Sequence, residues 1–187
     1  YKQTKNCMNS ETDLIIKLKS SKYRDSAFRE LMALYKERLY WHIRKIVISH
    51  DDSDDVLQNT FIKVYKNIDK FKGESKLFSW MYRIATNESI THLKRNAKRH
   101  QITSEEMQMQ AVNKLQSDVY FDGNEIQLKL QQAIASLPQK QQLVFNMKYF
   151  DDLKYKEISD ILETSEGALK ASYHLAVKKI EAYLTND

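Results

Sequence analysis

Apolar side chains recur every three or four positions along most of this chain, and that spacing predicts a succession of amphipathic helices. The first runs through Leu14, Ile15 and Leu18 and starts at Ser10-Glu11-Thr12-Asp13, with Ser10 as its cap; residues before Ser10 are left out of the fold reading. After Ser20-Ser21 a longer stripe begins near Ser26 and follows Phe28, Leu31, Met32, Tyr35, Leu39, Ile43, Ile46 and Val47. A third helix follows Asp51-Asp52-Ser53-Asp54-Asp55 and turns Val56, Leu57, Thr60, Phe61, Val64 and Ile68 inward. Lys70 to Lys76, a basic stretch containing Gly73, interrupts the helices. Trp80, Met81 and Ile84 then open a helix that ends in the cationic run Lys94 to His100.

The period disappears over 101–124, which is polar and Met-containing to Gln116 and acidic from Ser117 to Asn124; no fixed helix is assigned there. Helix resumes near Glu125 through Leu128, Leu130, Ala133, Ile134 and Leu137, and Pro138 starts a fresh one through Leu143, Val144, Phe145 and Met147. Tyr155, Ile158, Ile161 and Leu162 mark a short helix, broken at Glu163-Thr164-Ser165. Ser165 caps a last, longer helix striped by Leu169, Tyr173, Ala176, Val177, Ile180 and Leu184.

Composition fixes the fold class. Three glycines and one proline are too few for hairpins or sandwiches, so the chain reads as all-α. Two small helical domains are expected, 10–100 and 125–187, joined by a flexible linker over 101–124. The one cysteine, Cys7, rules out an internal disulfide and a cysteine-rich zinc site. Without a bilayer-length apolar run or a signal-peptide core, membrane insertion is not expected and a cytoplasmic location is. Charge is uneven: residues 1–100 carry +9, 101–126 carry −4 and 127–187 are neutral, giving the net +5. The basic front half suits a polyanion partner.

Three features carry candidate chemistry. The paired helices of Tyr155–Leu184 read as a DNA-binding helix-turn-helix or as a plain helical hairpin, with Lys170, His174, Lys178 and Lys179 outside the apolar stripe. Loop Lys70–Lys76 and the basic helix end after it suit a phosphate backbone, with exposed aromatic or loop groups for unpaired bases. The aspartate cluster at 51–55 admits helix capping, a partner-binding face, or a magnesium site loosely like that of helical prenyl-transferring enzymes; the chain is too short for that fold and no second acidic motif faces the first.

Taken together, several blocks resemble one family. Asp54-Asp55-Val56-Leu57-Gln58-Asn59-Thr60-Phe61-Ile62-Lys63-Val64-Tyr65 is similar to the second-region signature of bacterial RNA polymerase sigma factors of the extracytoplasmic-function group. Phe71-Lys72-Gly73-Glu74-Ser75 and Phe78-Ser79-Trp80-Met81-Tyr82-Arg83-Ile84-Ala85-Thr86-Asn87 resemble the next block. Leu137-Pro138-Gln139-Lys140-Gln141-Gln142-Leu143-Val144-Phe145, Tyr155-Lys156-Glu157-Ile158 and Ser165 to Ser172 resemble the fourth region. The likeness covers roughly 10–100 and 125–184, in the family's order.

The resemblance implies a dissociable initiation subunit that is not an enzyme and needs no cofactor or metal. By position, Asp54, Asp55, Gln58, Asn59 and Ile62 would dock on the β′ clamp helices of core RNA polymerase, with the β subunit a further partner. Lys72, Ser75, Lys76, Trp80, Tyr82, Arg83 and Asn87 would capture the −10 element of promoter DNA, where flipping a base out costs a few kcal/mol. Glu166, Gly167, Lys170, Ser172, Tyr173 and His174 would read the −35 element, and an anti-sigma factor is an expected regulator. Many relatives carry arginine where Ser172, Leu175 and Val177 stand, threonine at Ala168 and glycine at Glu163. Fewer cations imply fewer phosphate contacts. The alternative is a stand-alone helix-turn-helix regulator.

Overall fold

The computed structural model describes the backbone of residues 2–115 and 123–185, with side chains from residue 11 onward in those spans. The acidic stretch Ser117–Asp122 lies outside the described residues. Among them, every regular element is a helix: α1 Lys2–Lys19, α2 Arg24–Val47, α3 His50–Asn67, α4 Leu77–His100, α5 Ser104–Asn113, α6 Glu125–Ala135, α7 Gln139–Phe145, α8 Tyr155–Leu162 and α9 Glu166–Thr185. A 3-10 turn, Ile68–Lys70, follows α3, and a π-helical turn, Asn146–Phe150, follows α7.

The first domain is α1 to α4. Leu31, Leu39, Ile43, Val56, Leu57, Val64, Leu77 and Met81 are buried together, the inward stripes of three amphipathic helices meeting. Ser49 caps α3 by accepting the Asp52 amide at 3.4 Å. The helix α1 runs unbroken through Ser10, so Ser10 is interior to it and not its cap. The helix α2 ends on Ile48 at φ 69°, a left-handed conformation unusual for a β-branched residue. Burial of that side chain against Val112 and Leu115 offsets the strain.

The connector departs from expectation. Ser104–Asn113 forms a helix opened by a capping box, in which Thr103 Oγ1 accepts the Glu106 amide at 3.1 Å and Glu106 accepts the Thr103 amide at 2.7 Å. These bonds hold the Glu106 carboxyl below its ordinary range. Gln108 and Val112 are buried, and the Gln108 amide donates to Ile46 O at 2.7 Å and Gln142 Oε1 at 3.0 Å. A polar, low-periodicity sequence had hidden these two inward anchors, one of them a glutamine.

The second domain is α6 to α9. Pro138 is the N-cap of α7, and Ser165 accepts the Ala168 amide at 3.4 Å at the start of α9. Ala133, Ile134, Leu137, Phe145, Ala176 and Ile180 form its own small core. Its other apolar face, with Leu143, Val144, Met147, Leu153, Ile158, Ile161 and Leu169, joins the core of the first domain. The two domains are therefore docked, with α8 against α4.

Candidate nucleic-acid interface

On α3, Asp54, Asp55, Gln58, Asn59 and Ile62 recur at helical spacing and are all exposed, Ile62 by 44%. The residues between them, Val56, Leu57, Thr60 and Phe61, are buried, so the phase of the helix alone sets this face outward. The neighbouring acids diverge. Asp52 turns to His92, 2.9 Å away, whose hydrogen bond outweighs burial and holds the Asp52 carboxyl below its ordinary range; Asp54 lies 3.6 Å from His50. What remains is an acidic, partly apolar stripe on a basic domain.

Loop Phe71–Lys76 is fastened from behind by α1. The Lys19 ammonium donates to Phe71 O at 2.6 Å, and Glu11 accepts the Leu77 amide at 2.8 Å. Gly73 sits at φ +78°, where an L side chain would be strained, although space for a Cβ is open. Lys72 is exposed, and the Ser75 hydroxyl donates to Lys76 O at 3.4 Å. Lys76, Trp80, Arg83 and Asn87 fall at i, i+4, i+7 and i+11, one stripe along the start of α4. Trp80 is half-buried, its ring tilted 5.3 Å from that of Phe71. The loop, Trp80 and Arg83, with Asp160 opposite, line a cleft of about 420 Å³, within the roughly 300–1,000 Å³ typical of small-molecule sites.

Tyr82 does not belong to this face. At 100° per residue it lies about 200° round the helix from Trp80, and it is 1% exposed. Its ring packs on His42 and Phe78, its hydroxyl donates to Arg38 O at 3.2 Å, and burial pushes the phenol well above its usual range. Tyr82 is a core residue, and its assignment to DNA is corrected.

On α9, Glu166, Gly167, Lys170 and His174 are exposed on one side and Ser172 is half-buried. Tyr173 shares the stripe of Leu169, Ala176 and Ile180, and its ring stacks on Phe145 at 5.9 Å, so most of it is packing surface. The Lys170 ammonium lies 5.7 Å from the centre of the Tyr155 ring. That cation–π contact ties the recognition-helix cation to the preceding helix.

Contacts between the domains had no counterpart in the sequence pattern. Arg83 Nη1 donates to Glu163 Oε1 at 2.6 Å and its other terminal nitrogen to Asp160 O; Lys76 donates to Glu157 Oε1 at 2.8 Å. Burial would raise the Glu157 carboxyl, yet the Lys76 hydrogen bond, the Lys154 amide and both lysine charges hold it below its usual range. Deeper in, Asp151 accepts from His42 Nδ1 at 3.1 Å and from Lys45, and His42 Nε2 meets Thr86 Oγ1 at 2.9 Å. The π turn brings Asp151 there, and Asn146 donates to Lys45 O at 3.3 Å from the same turn. The signal available for this pairing was slight: a histidine on the inner side of α2, and an aspartate pair directly after the aromatic Tyr149-Phe150.

Two family profiles match the chain: Sigma-70 region 2 over residues 31–99 and Sigma-70 region 4 over 127–180. The chain is similar to the ECF RNA polymerase sigma factor SigW of Bacillus subtilis, 29% identical over 157 residues covering 79% of this chain and 83% of SigW. It is also similar to the RNA polymerase sigma-H factor of Pseudomonas aeruginosa, 25% identical over 166 residues, 84% of this chain and 86% of that one. In fold it is similar to CnrH, solved with the cytosolic domain of CnrY, at a TM-score of 0.68 and 21% identity, covering 94% of this chain and 98% of CnrH. The sigma factor RpoE of Bartonella quintana, solved with the anti-sigma factor NepR, gives 0.64 and 17%, covering 86% and 98%.

Proposed function

The chain belongs to the extracytoplasmic-function group of the sigma-70 family and is a promoter-specific RNA polymerase sigma factor, and on that footing we propose how it divides the work. The exposed stripe Asp54, Asp55, Gln58, Asn59 and Ile62 docks on core polymerase. Lys72, Ser75, Lys76, Trp80, Arg83 and Asn87 capture the −10 strand, and Glu166, Gly167, Lys170, Ser172 and His174 meet the −35 element. The single observation that carries this reading is the alignment of Lys76, Trp80, Arg83 and Asn87 on one stripe beside a fastened basic loop. Cations there hold phosphates while a ring and a cleft accept a base.

The protein acts by binding and not by catalysis, in the cytoplasm where polymerase works. An anti-sigma protein, the kind of partner found with NepR's sigma factor, is its regulator. Run-off transcription with purified core enzyme from a cognate bacterium tests the reading. Transcripts should start at specific promoters only when this chain is added. Gel shifts separate it from a self-sufficient helix-turn-helix regulator, which would bind its operator tightly without core.

A further inference from the structure

We propose that α9 reads thymine in the −35 element through an exposed apolar line, Ala168, Ala171 and Leu175, whose side chains take up 5-methyl groups in the major groove. The inference rests on the assignment of Glu166, Gly167, Lys170, Ser172 and His174 to that element. It adds the residues that set its base preference.

The line follows from helical phase. At about 100° per residue, Ala168, Ala171 and Leu175 fall within roughly 60° of one another and about 130° round the helix from Leu169, Ala176 and Ile180. The three inner residues are buried, whereas the three outer ones are exposed, Leu175 by 49%. A lone leucine on a surface is ordinary. Here the leucine is continuous with two alanines, so the middle of the outward face offers methyl groups and no side-chain hydrogen-bonding atom. Gly167 stands on the same side, one turn before Ala171. It lies within the helix, and a Cβ there would meet nothing within 4 Å. Nothing inside this chain calls for glycine at that position, although glycine weakens a helix relative to alanine. Its bare backbone leaves room for a second molecule to come close.

Charge selects DNA as that molecule. Glu166 opens α9 and Glu181 lies near its end; between them the only lysines, arginines or carboxylates are Lys170, Lys178 and Lys179, all exposed. Lys170 rests near the Tyr155 ring and not against an acid. Lys178 and Lys179, at i+3 and i+4 from Leu175, lie on either side of it and pair with no carboxylate among the described residues. Cations at the rim and methyls at the centre match a duplex groove. Phosphates line its edges, and the thymine 5-methyl is the apolar group on its floor.

The dimensions agree. A helix with its side chains is about 10–12 Å across, and the major groove is about 12 Å wide. Ala168 to Leu175 spans about 10 Å of helix, equal to about three base-pair steps. The element should therefore carry its thymines, on either strand, within about four consecutive base pairs, with Lys170 meeting a guanine acceptor beside them.

Deoxyuridine provides the test, because it keeps the pairing and the O4 acceptor of thymine and lacks only the methyl. Holoenzyme assembled from core polymerase and the full chain is bound to a promoter that supports run-off transcription, with thymine or uracil across the footprinted −35 element. Uracil should weaken binding about fourfold for each methyl contacted. Uracil placed in the spacer between the two elements should change nothing. Leu175→Ala, at a position that leaves the domain core intact, should lower the uracil penalty about fourfold, and Leu175→Met should keep it. A footprint indifferent to uracil, or an element of G·C pairs alone, would overturn the inference. So would a uracil penalty that Leu175→Ala leaves unchanged; if that variant also binds both DNAs less well, Leu175 faces protein instead. Absence of any footprint upstream of the −10 element would remove α9 from DNA and take the inference with it, whereas a uracil-indifferent footprint leaves the −35 assignment standing.

Discussion

The Nδ1 of His42 and the carboxylate of Asp151 lie 3.1 Å apart, although 109 residues and a domain boundary separate them in sequence. With Lys45 on its other oxygen, Asp151 is the buried polar centre of the interface between the two domains. Removing one member of such a cluster strands the rest, and Asp151→Ala should cost about 3 kcal/mol of docking. Urea unfolding followed by far-UV circular dichroism should change from one transition to two. A single transition at the wild-type midpoint would speak against the assignment.

Acid should loosen the same contact. Burial alone would raise the Asp151 carboxyl, but the hydrogen bond and charge of His42, with those of Lys45, hold it below the ordinary 3.8. A carboxyl depressed in the folded state contributes stability in full above its unfolded value and loses it as pH falls through the lower, folded one. The charged groups bonded to it are His42 and Lys45, while Glu37, Arg38, Lys76, Glu157 and the exposed Asp152 line the clefts beside it. Domain separation measured by scattering should therefore rise below about pH 4 in wild type, and Asp151→Asn should lack that acid-dependent step.

Tyr82→Phe distinguishes packing from recognition. It deletes the hydroxyl that donates to Arg38 O at 3.2 Å and keeps the ring against His42 and Phe78. The cost should be about 1 kcal/mol in thermal unfolding, with promoter binding by the holoenzyme unchanged. A specific loss of −10 footprinting with unaltered stability would return Tyr82 to the DNA-facing set.

Asp55→Lys combined with Gln58→Lys places two cations on the exposed stripe of α3, away from the buried Val56, Leu57 and Thr60. Co-purification with core polymerase should fall sharply while the helical circular dichroism signal is kept. Undiminished co-purification would remove these positions from the docking face.

Lys170→Ala should weaken protection of the upstream promoter element by about 1–3 kcal/mol, the worth of a bidentate base contact. Tyr155→Leu, which removes the ring 5.7 Å from the ammonium but keeps an apolar side chain, should produce a smaller loss in the same footprint. Equal footprints for all three proteins would mean that Lys170 contacts no base.

Helical period and turn chemistry by themselves determined the all-α class, the two domains, the outward face of α3 and the helix pair at Tyr155–Leu184. These are local consequences: burial of an amphipathic stripe sets which side of each helix faces out, and caps such as Ser165 set where helices begin. Motif order added the family. Tyr82 was misplaced because family position was carried over without helical phase, which puts it opposite Trp80. The helix at Ser104–Asn113 escaped notice because its inward anchors include Gln108, whose burial depends on Ile46 and Gln142 being there to accept and share its hydrogen bonds. Only the tertiary structure decided that Arg83 meets Glu163 and that His42 meets Asp151. These pairs join segments 80 and 109 residues apart, and no one-dimensional pattern specifies which of many polar side chains will be brought within hydrogen-bond reach.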